Sequence, residues 1–146
     1  MEIVRITDTQ GHVQDAALLA RAETVHRQLR PQIPQPYDAR MREIFATGAE
    51  MAVAVENGEV CGVAVFRVTT NTMVGKKIYS EDLVADANTA VKGVGRALMD
   101  FLKEEGKARG CVSLELESGT QREGAHKFYF REGFSIKAFG FKQPLA

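Results

Sequence analysis

Glu81-Asp82-Leu83-Val84-Ala85-Asp86, leading through a short connection into Ala90-Val91-Lys92-Gly93-Val94-Gly95-Arg96-Ala97-Leu98, decides the fold. It reads as a strand, a turn rich in glycine and basic residues, and an amphipathic helix whose first turn is open. The first N–H groups of a helix have no intrahelical partner, and the aligned peptide dipoles add partial positive charge there, so such a turn attracts phosphate. The stretch therefore predicts an anionic cofactor.

Working outward, the helix from about Gly93 to Arg109 would bury Val94, Ala97, Leu98, Phe101 and Leu102, with Gly110 closing it. Val112 to Leu116 alternates as a following strand, which makes the strand–helix–strand unit parallel and right-handed. Upstream lie β-branched runs from Met51 to Val55 and Val60 to Thr69, joined by Glu56-Asn57-Gly58-Glu59, whose Asn-Gly centre is a strong hairpin signal. Lys77 to Ala85 follows as the fourth strand. Glu2 to Thr7 reads as the first strand, and Val13 to Leu29 as a helix with Val13, Ala16, Ala17, Ala20, Val25 and Leu29 at helical spacing. Pro31, Pro34 and Pro36 stop that helix before a shorter one from Tyr37 to Phe45. At the C-terminal end, a helix carries Ala125, Phe128 and Tyr129, and Phe134 to Phe141 reads as a last strand. No repeat or linker interrupts this order, so residues 1–146 are expected to form one mixed α/β domain, a central sheet flanked by helices.

Composition limits the partners. Nineteen basic and nineteen acidic residues cancel, leaving no global field to recruit nucleic acid or an anionic membrane, so an anion site must be local. The N-terminus lacks the pattern of a signal peptide and no apolar run approaches membrane-spanning length, so a cytoplasmic location is expected. Cys61 and Cys111 lie far apart outside any redox or metal spacing and are expected as buried residues in strands. His12 reads as a turn residue and His26 and His126 as solvated helix-face residues. No set of His, Cys and carboxylates has ligand spacing, and no metal is expected.

The glycines admit several readings. A P-loop would need Lys-Ser/Thr after them, and a dinucleotide fingerprint would sit beside the first strand with an acidic residue some twenty positions on. Neither pattern is present, while a plain tight turn would use Gly93 and Gly95 equally well. In combination with the C-terminal helix, however, Lys92-Gly93-Val94-Gly95-Arg96 resembles motif A of the GNAT superfamily of N-acetyltransferases, Arg/Gln-x-x-Gly-x-Gly/Ala between the fourth strand and third helix. Ala90 stands where the family usually has arginine or glutamine. Ala125-His126-Lys127-Phe128-Tyr129-Phe130-Arg131-Glu132-Gly133-Phe134 is similar to its motif B, with Arg122 where many members carry a cofactor-contacting asparagine. Together the motifs and the elements around them cover nearly the whole chain.

The resemblance implies a GNAT domain in which a bulge splays the fourth strand from the fifth. Acetyl-CoA would be the acetyl donor, its pantetheine arm on Leu83, Val84 and Ala85 and its phosphates on Lys92, Gly93, Val94, Gly95 and Arg96. Tyr129 takes the position of a family tyrosine near the cofactor sulfur, as general acid or as the holder of a water; packing among Phe128 and Phe130 is the other reading of its ring. Acyl transfer also needs a deprotonated amine. Strand alternation places Glu81 and Asp82 on opposite faces, with Glu81, beside Leu83 and Tyr79, the first candidate base, Asp82 the second, and water a third route. The acceptor is an amine of a small molecule or peptide, met by Tyr37, Asp38, Arg40, Arg42 and Glu43 and the loop from Thr70 to Lys76; neither nucleic acid nor membrane is an expected partner, and a homodimer is compatible with the reading. The reading of another class is a non-catalytic acyl-CoA-binding regulatory module of the same fold, motivated by Ala90 and Arg122.

Overall fold

The computed structural model describes all 146 residues. Its elements run β1 (Glu2–Arg5), α1 (Ala16–Leu29), α2 (Tyr37–Ala46), β2 (Ala49–Glu56), β3 (Glu59–Asn71), β4 (Gly75–Ala85), α3 (Val94–Ala108), β5 (Ser113–Leu116) and α4 (Glu123–Arg131). The five strands form one mixed sheet in the order β1-β2-β3-β4-β5, antiparallel through β4 and parallel between β4 and β5. The parallel pair requires a crossover, and α3 supplies it. Contacts divide the chain into two compact units, Met1–Glu115 and Leu116–Ala146.

In the first unit, the β2–β3 hairpin turns on Asn57 and Gly58, at φ 50° and 77°. Two consecutive positive φ values match the right-handed twist of the flanking strands, which is why Asn-Gly signals this turn. Alternation then sorts the side chains of the sheet into two cores. Met51, Val53, Val63 and Val65 pack with Leu18, Leu19, Ala22 and Val25 of α1 and with Met41 and Phe45 of α2. Ala52, Ala54, Ala64 and Phe66 face α3, meeting Val94, Leu98 and Leu102. Gly62 belongs to the close approach of that helix: a Cβ there would lie 2.5 Å from Val94 Cγ1 and 2.9 Å from Leu98 Cδ1.

The α1 stripe differs from the expectation. Ala16, Ala17 and Ala20 are exposed, whereas Leu18, Leu19, Ala22, Val25 and His26 are buried. Larger apolar surface gains more from leaving water, so the leucines set the rotation of the helix. His26, expected in solvent, is 1% exposed. Cys61 is buried in β3 as expected, but Cys111 is half-buried and precedes β5, its N–H bonded to Gly106 O.

Glu50 of β2 is also buried, at 2% exposure, and takes two bonds from Arg109 Nη1 (2.9 and 2.8 Å) and one from Arg5 Nη1 (3.2 Å). Arg5 also pairs with Glu105 of α3. This network ties β1, β2 and the end of α3. Removing one member of a buried ion pair strands the others, so Glu50→Ala should cost about 3 kcal/mol. Urea unfolding measures it, and an unshifted midpoint would show that Glu105 alone suffices for both arginines.

In the second unit, α4 carries Phe128 and Tyr129 edge to face, with ring centroids 5.6 Å apart, and Phe134 meets Tyr129 at 5.8 Å. Phe130 is exposed rather than packed. The expected last strand is absent: from Phe134 to Phe141 the chain forms neither helix nor strand, with Phe139 and Phe141 largely exposed. Its apolar residues switch from even positions (Phe134, Ile136, Ala138) to odd ones (Phe139, Phe141), so no single sheet face would bury them.

Candidate active site

The β3–β4 register slips at one place. Val65 pairs with Asp82 but Phe66 pairs with Ser80, leaving Glu81 as an extra residue in β4. A bulge of this kind bends the strand and interrupts alternation. Consequently Glu81 and Asp82 both turn toward the α1–α2 side, against the expectation of opposite faces. Arg67 Nε pairs with Glu81 Oε1 while its other nitrogens bond Thr47 at the end of α2, at 2.7 Å to the carbonyl and 3.0 Å to Oγ1. Asp82 accepts from His26 Nε2 at 2.7 Å and from Arg30 Nε at 2.7 Å, on separate oxygens. Burial pushes the Asp82 carboxyl up, but these two hydrogen bonds together outweigh it and hold the group below its ordinary value.

Past the bulge the ladder resumes, with Leu83 opposite Ala64, Val84 opposite Val63 and Ala85 opposite Gly62. Asp86 N–H bonds Cys61 O at 2.8 Å, so by antiparallel alternation Leu83 and Ala85 direct their N–H groups away from β3. On that edge β5 begins beside Lys76, where Val112 N–H bonds Lys76 O at 2.8 Å, and it is only four residues long. β4 runs on past it.

The turn after β4 is set by Asp86, whose Oδ1 accepts from Gln28 and from Asn88 N–H, and by Thr89, whose hydroxyl accepts from Val91 N–H. Gly93 is the N-cap of α3, at φ 76° and ψ 18°, a conformation that glycine adopts without a Cβ penalty. No side chain caps the helix, and its first turn holds no acidic residue. The first helical bond runs from Ala97 N–H to Gly93 O, so the N–H groups of Gly93, Val94 and Gly95 precede it. Lys92, Gly93 and Arg96 are exposed and Gly95 half-exposed. Such a cradle suits a diphosphate.

Thus Glu81, Asp82, Leu83, Val84 and Ala85 and the cluster Lys92, Gly93, Val94, Gly95 and Arg96 lie on one continuous stretch of the first unit. Tyr129 belongs to the second. There burial pushes its phenol above the ordinary value of 10, with the Arg122 guanidinium opposing the rise.

The family model described as the Acetyltransferase (GNAT) family matches residues 18–134. The chain belongs to the GNAT acetyltransferases. Among curated relatives, the uncharacterized N-acetyltransferase YhdJ of Bacillus subtilis is 35% identical over 72 residues, 49% of this chain and 51% of that protein. The aminoalkylphosphonate N-acetyltransferase of Salmonella typhimurium is 29% identical over 94 residues, 64% of this chain and 61% of that protein. The chain thus matches only about half to three-fifths of their lengths. The solved aminoglycoside N-acetyltransferase AAC(6')-Iy, in complex with CoA, shares the GNAT fold at a TM-score of 0.78 and 17% identity, over 99% of this chain and 95% of that one.

The residues expected to meet the acceptor share α2 but differ in exposure. Tyr37 is buried, its hydroxyl 2.9 Å from His26 Nδ1. Asp38 and Arg42 are exposed, Arg40 pairs with Glu43 at 3.6 Å in solvent, and the expected loop shrinks to a tight turn in which Asn71 Oδ1 accepts from Met73 and Val74 N–H. His12 bonds Asp8 in a turn and His126 Nε2 lies 2.8 Å from Gly119 O. No group of three or more His, Cys, Asp or Glu side chains could hold a metal, and no helix is long and apolar enough to cross a membrane. Sequence reasoning missed His26, Arg30 and Arg67. The spacing Leu19, Ala22, His26 could have found the first.

Proposed function

We propose that this GNAT protein transfers an acetyl group from acetyl-CoA directly to an amine of a small molecule or peptide. The observation that carries the reading is the continuity of the bulged β4, the Leu83 and Ala85 amides turned from β3, and the uncapped glycine start of α3. Of Leu83, Val84 and Ala85, the Leu83 and Ala85 amides would bond the pantetheine arm and polarise the thioester carbonyl, while the Val84 N–H faces β3. Lys92, Gly93, Val94, Gly95 and Arg96 would hold the phosphates.

Of the two carboxylates, Asp82 has a donor on each oxygen and is held ionised and poorly basic. Glu81 commits Oε1 to Arg67. It is therefore the better group to take the amine proton, directly or through a water. The amine then attacks the carbonyl carbon, the C–S bond breaks, and the thiolate takes a proton from Tyr129 or from a water that Tyr129 holds.

Acetyl-CoA at about a hundred times its Kd should raise Tm by roughly 5–10 °C, because a ligand that binds only the native state stabilises it by mass action. An unchanged Tm at millimolar acetyl-CoA would remove the reading. Release of free thiol across an amine panel then identifies the acceptor, and cofactor binding without thiol release on any amine would favour a non-catalytic acyl-CoA-binding module.

A further inference from the structure

His26 has no part in these transfer steps, yet it is a fully buried titratable group held at both ring nitrogens. Burial pushes the Tyr37 phenol far above its ordinary value, so its hydroxyl keeps its proton. Asp82, held ionised, can only accept, so Nε2 carries the ring proton that faces its Oδ2, and in the neutral ring Nδ1 then accepts from the Tyr37 hydroxyl. The protons of Tyr37, His26 and Arg30 therefore all run toward one carboxylate. Arg30 also reaches the Glu81 carbonyl with Nη2 at 3.2 Å. Both residues of the bulge are thus held from α1 and its C-cap, one by its side chain and one by its backbone.

Resting on the acetyltransferase reading, we propose that His26 is a positioning residue that acts through Asp82 to fix the β4 bulge, and with it Glu81. The charged and titratable groups around this chain are Glu23, Arg27 and Arg30 from α1 and its C-cap, Tyr37 from α2, Glu81 and Asp82 from β4, and Arg67 from β3. Of these only Arg30 donates to Asp82 beside His26, and it does so to the other oxygen. Without His26 one Asp82 oxygen loses its donor, the carboxyl rises, and the bulge loosens at acidic pH sooner.

A purely space-filling histidine would be replaced equally well by any side chain of similar size, which two variants distinguish. In His26→Gln the amide nitrogen falls near the Nε2 position and preserves donation to Asp82. In His26→Asn it falls near Nδ1 and does not. His26→Asn should lower kcat roughly tenfold or more with KM for acetyl-CoA within about twofold, and move the acid limb of kcat to higher pH. His26→Gln should recover most of kcat and the original limb. In the cofactor-free protein, ¹³C NMR of the Asp82 carboxyl should show a raised titration midpoint in the Asn variant only. Equal kcat and pH profiles in the two variants, differing only in Tm, or an Asp82 midpoint the same in both, would overturn the proposal. If wild-type protein releases no thiol with any amine, transfer fails and the positioning role falls with it, while the NMR titration still decides whether His26 holds Asp82.

Discussion

Gly95→Asp should weaken acetyl-CoA binding by roughly a hundredfold or more while leaving the free protein at least as stable as before. Gly95 is the second residue of α3 and has no positive φ, so a side chain there meets no backbone strain. An acidic residue in the first turn of a helix is favourable to its dipole by about 0.3–1 kcal/mol, and α3 has none there now. The same substitution places a carboxylate in front of the N–H groups that would hold the diphosphate. Each lost hydrogen bond to a charged group costs about 1.5–3 kcal/mol, so two suffice for the expected loss. Gly93 is a poorer site for this test, because its left-handed conformation would confound lost binding with strain. Calorimetric titration of acetyl-CoA, alongside a thermal melt of the free variant, separates the two effects. Undiminished affinity in a folded variant would put the phosphates elsewhere.

The legibility of this stretch in the amino-acid sequence has a physical reason. Signals such as Asn57-Gly58 and Lys92 to Arg96 are local, because turn conformation and helix initiation depend on the residues that make them. The bulge is not local. It is a mismatch of one residue between β3 and β4; the resemblance implies a bulge in the fourth strand, but nothing in Ser80-Glu81-Asp82 marks which residue is the extra one, so strict alternation sends Glu81 and Asp82 to opposite faces. His26 was lost for a different reason. Ala16, Ala17 and Ala20 weighed as much as Leu18 and Leu19 in the pattern, although they bury far less surface, and the misplaced stripe left the histidine in solvent. The expected last strand failed because pairing cannot be read from one segment, and its apolar residues change parity at Ala138–Phe139.

Tyr129→Phe should lower turnover by roughly a hundredfold or more with stability and acetyl-CoA affinity unchanged, if the phenol gives its proton to the departing thiolate. The variant keeps the ring, and with it the edge contacts to Phe128 and Phe134 within the second unit. What it removes is a hydroxyl whose burial, opposed by Arg122, leaves it above the ordinary value of 10 and hence protonated at neutral pH, able to give a proton and unable to take one. The pH profile carries a second signature. A group that must be protonated imposes an alkaline limb at its own pKa, so the wild-type fall in kcat owed to this phenol should lie above pH 10 and be missing in the Phe variant. A loss of only a few-fold with the alkaline limb retained would assign Tyr129 to holding a water. An unaltered rate on a genuine acceptor would make it a packing residue, and the diphosphate cradle would be untouched by that result, because it rests on the backbone of β4 and the start of α3 rather than on any hydroxyl.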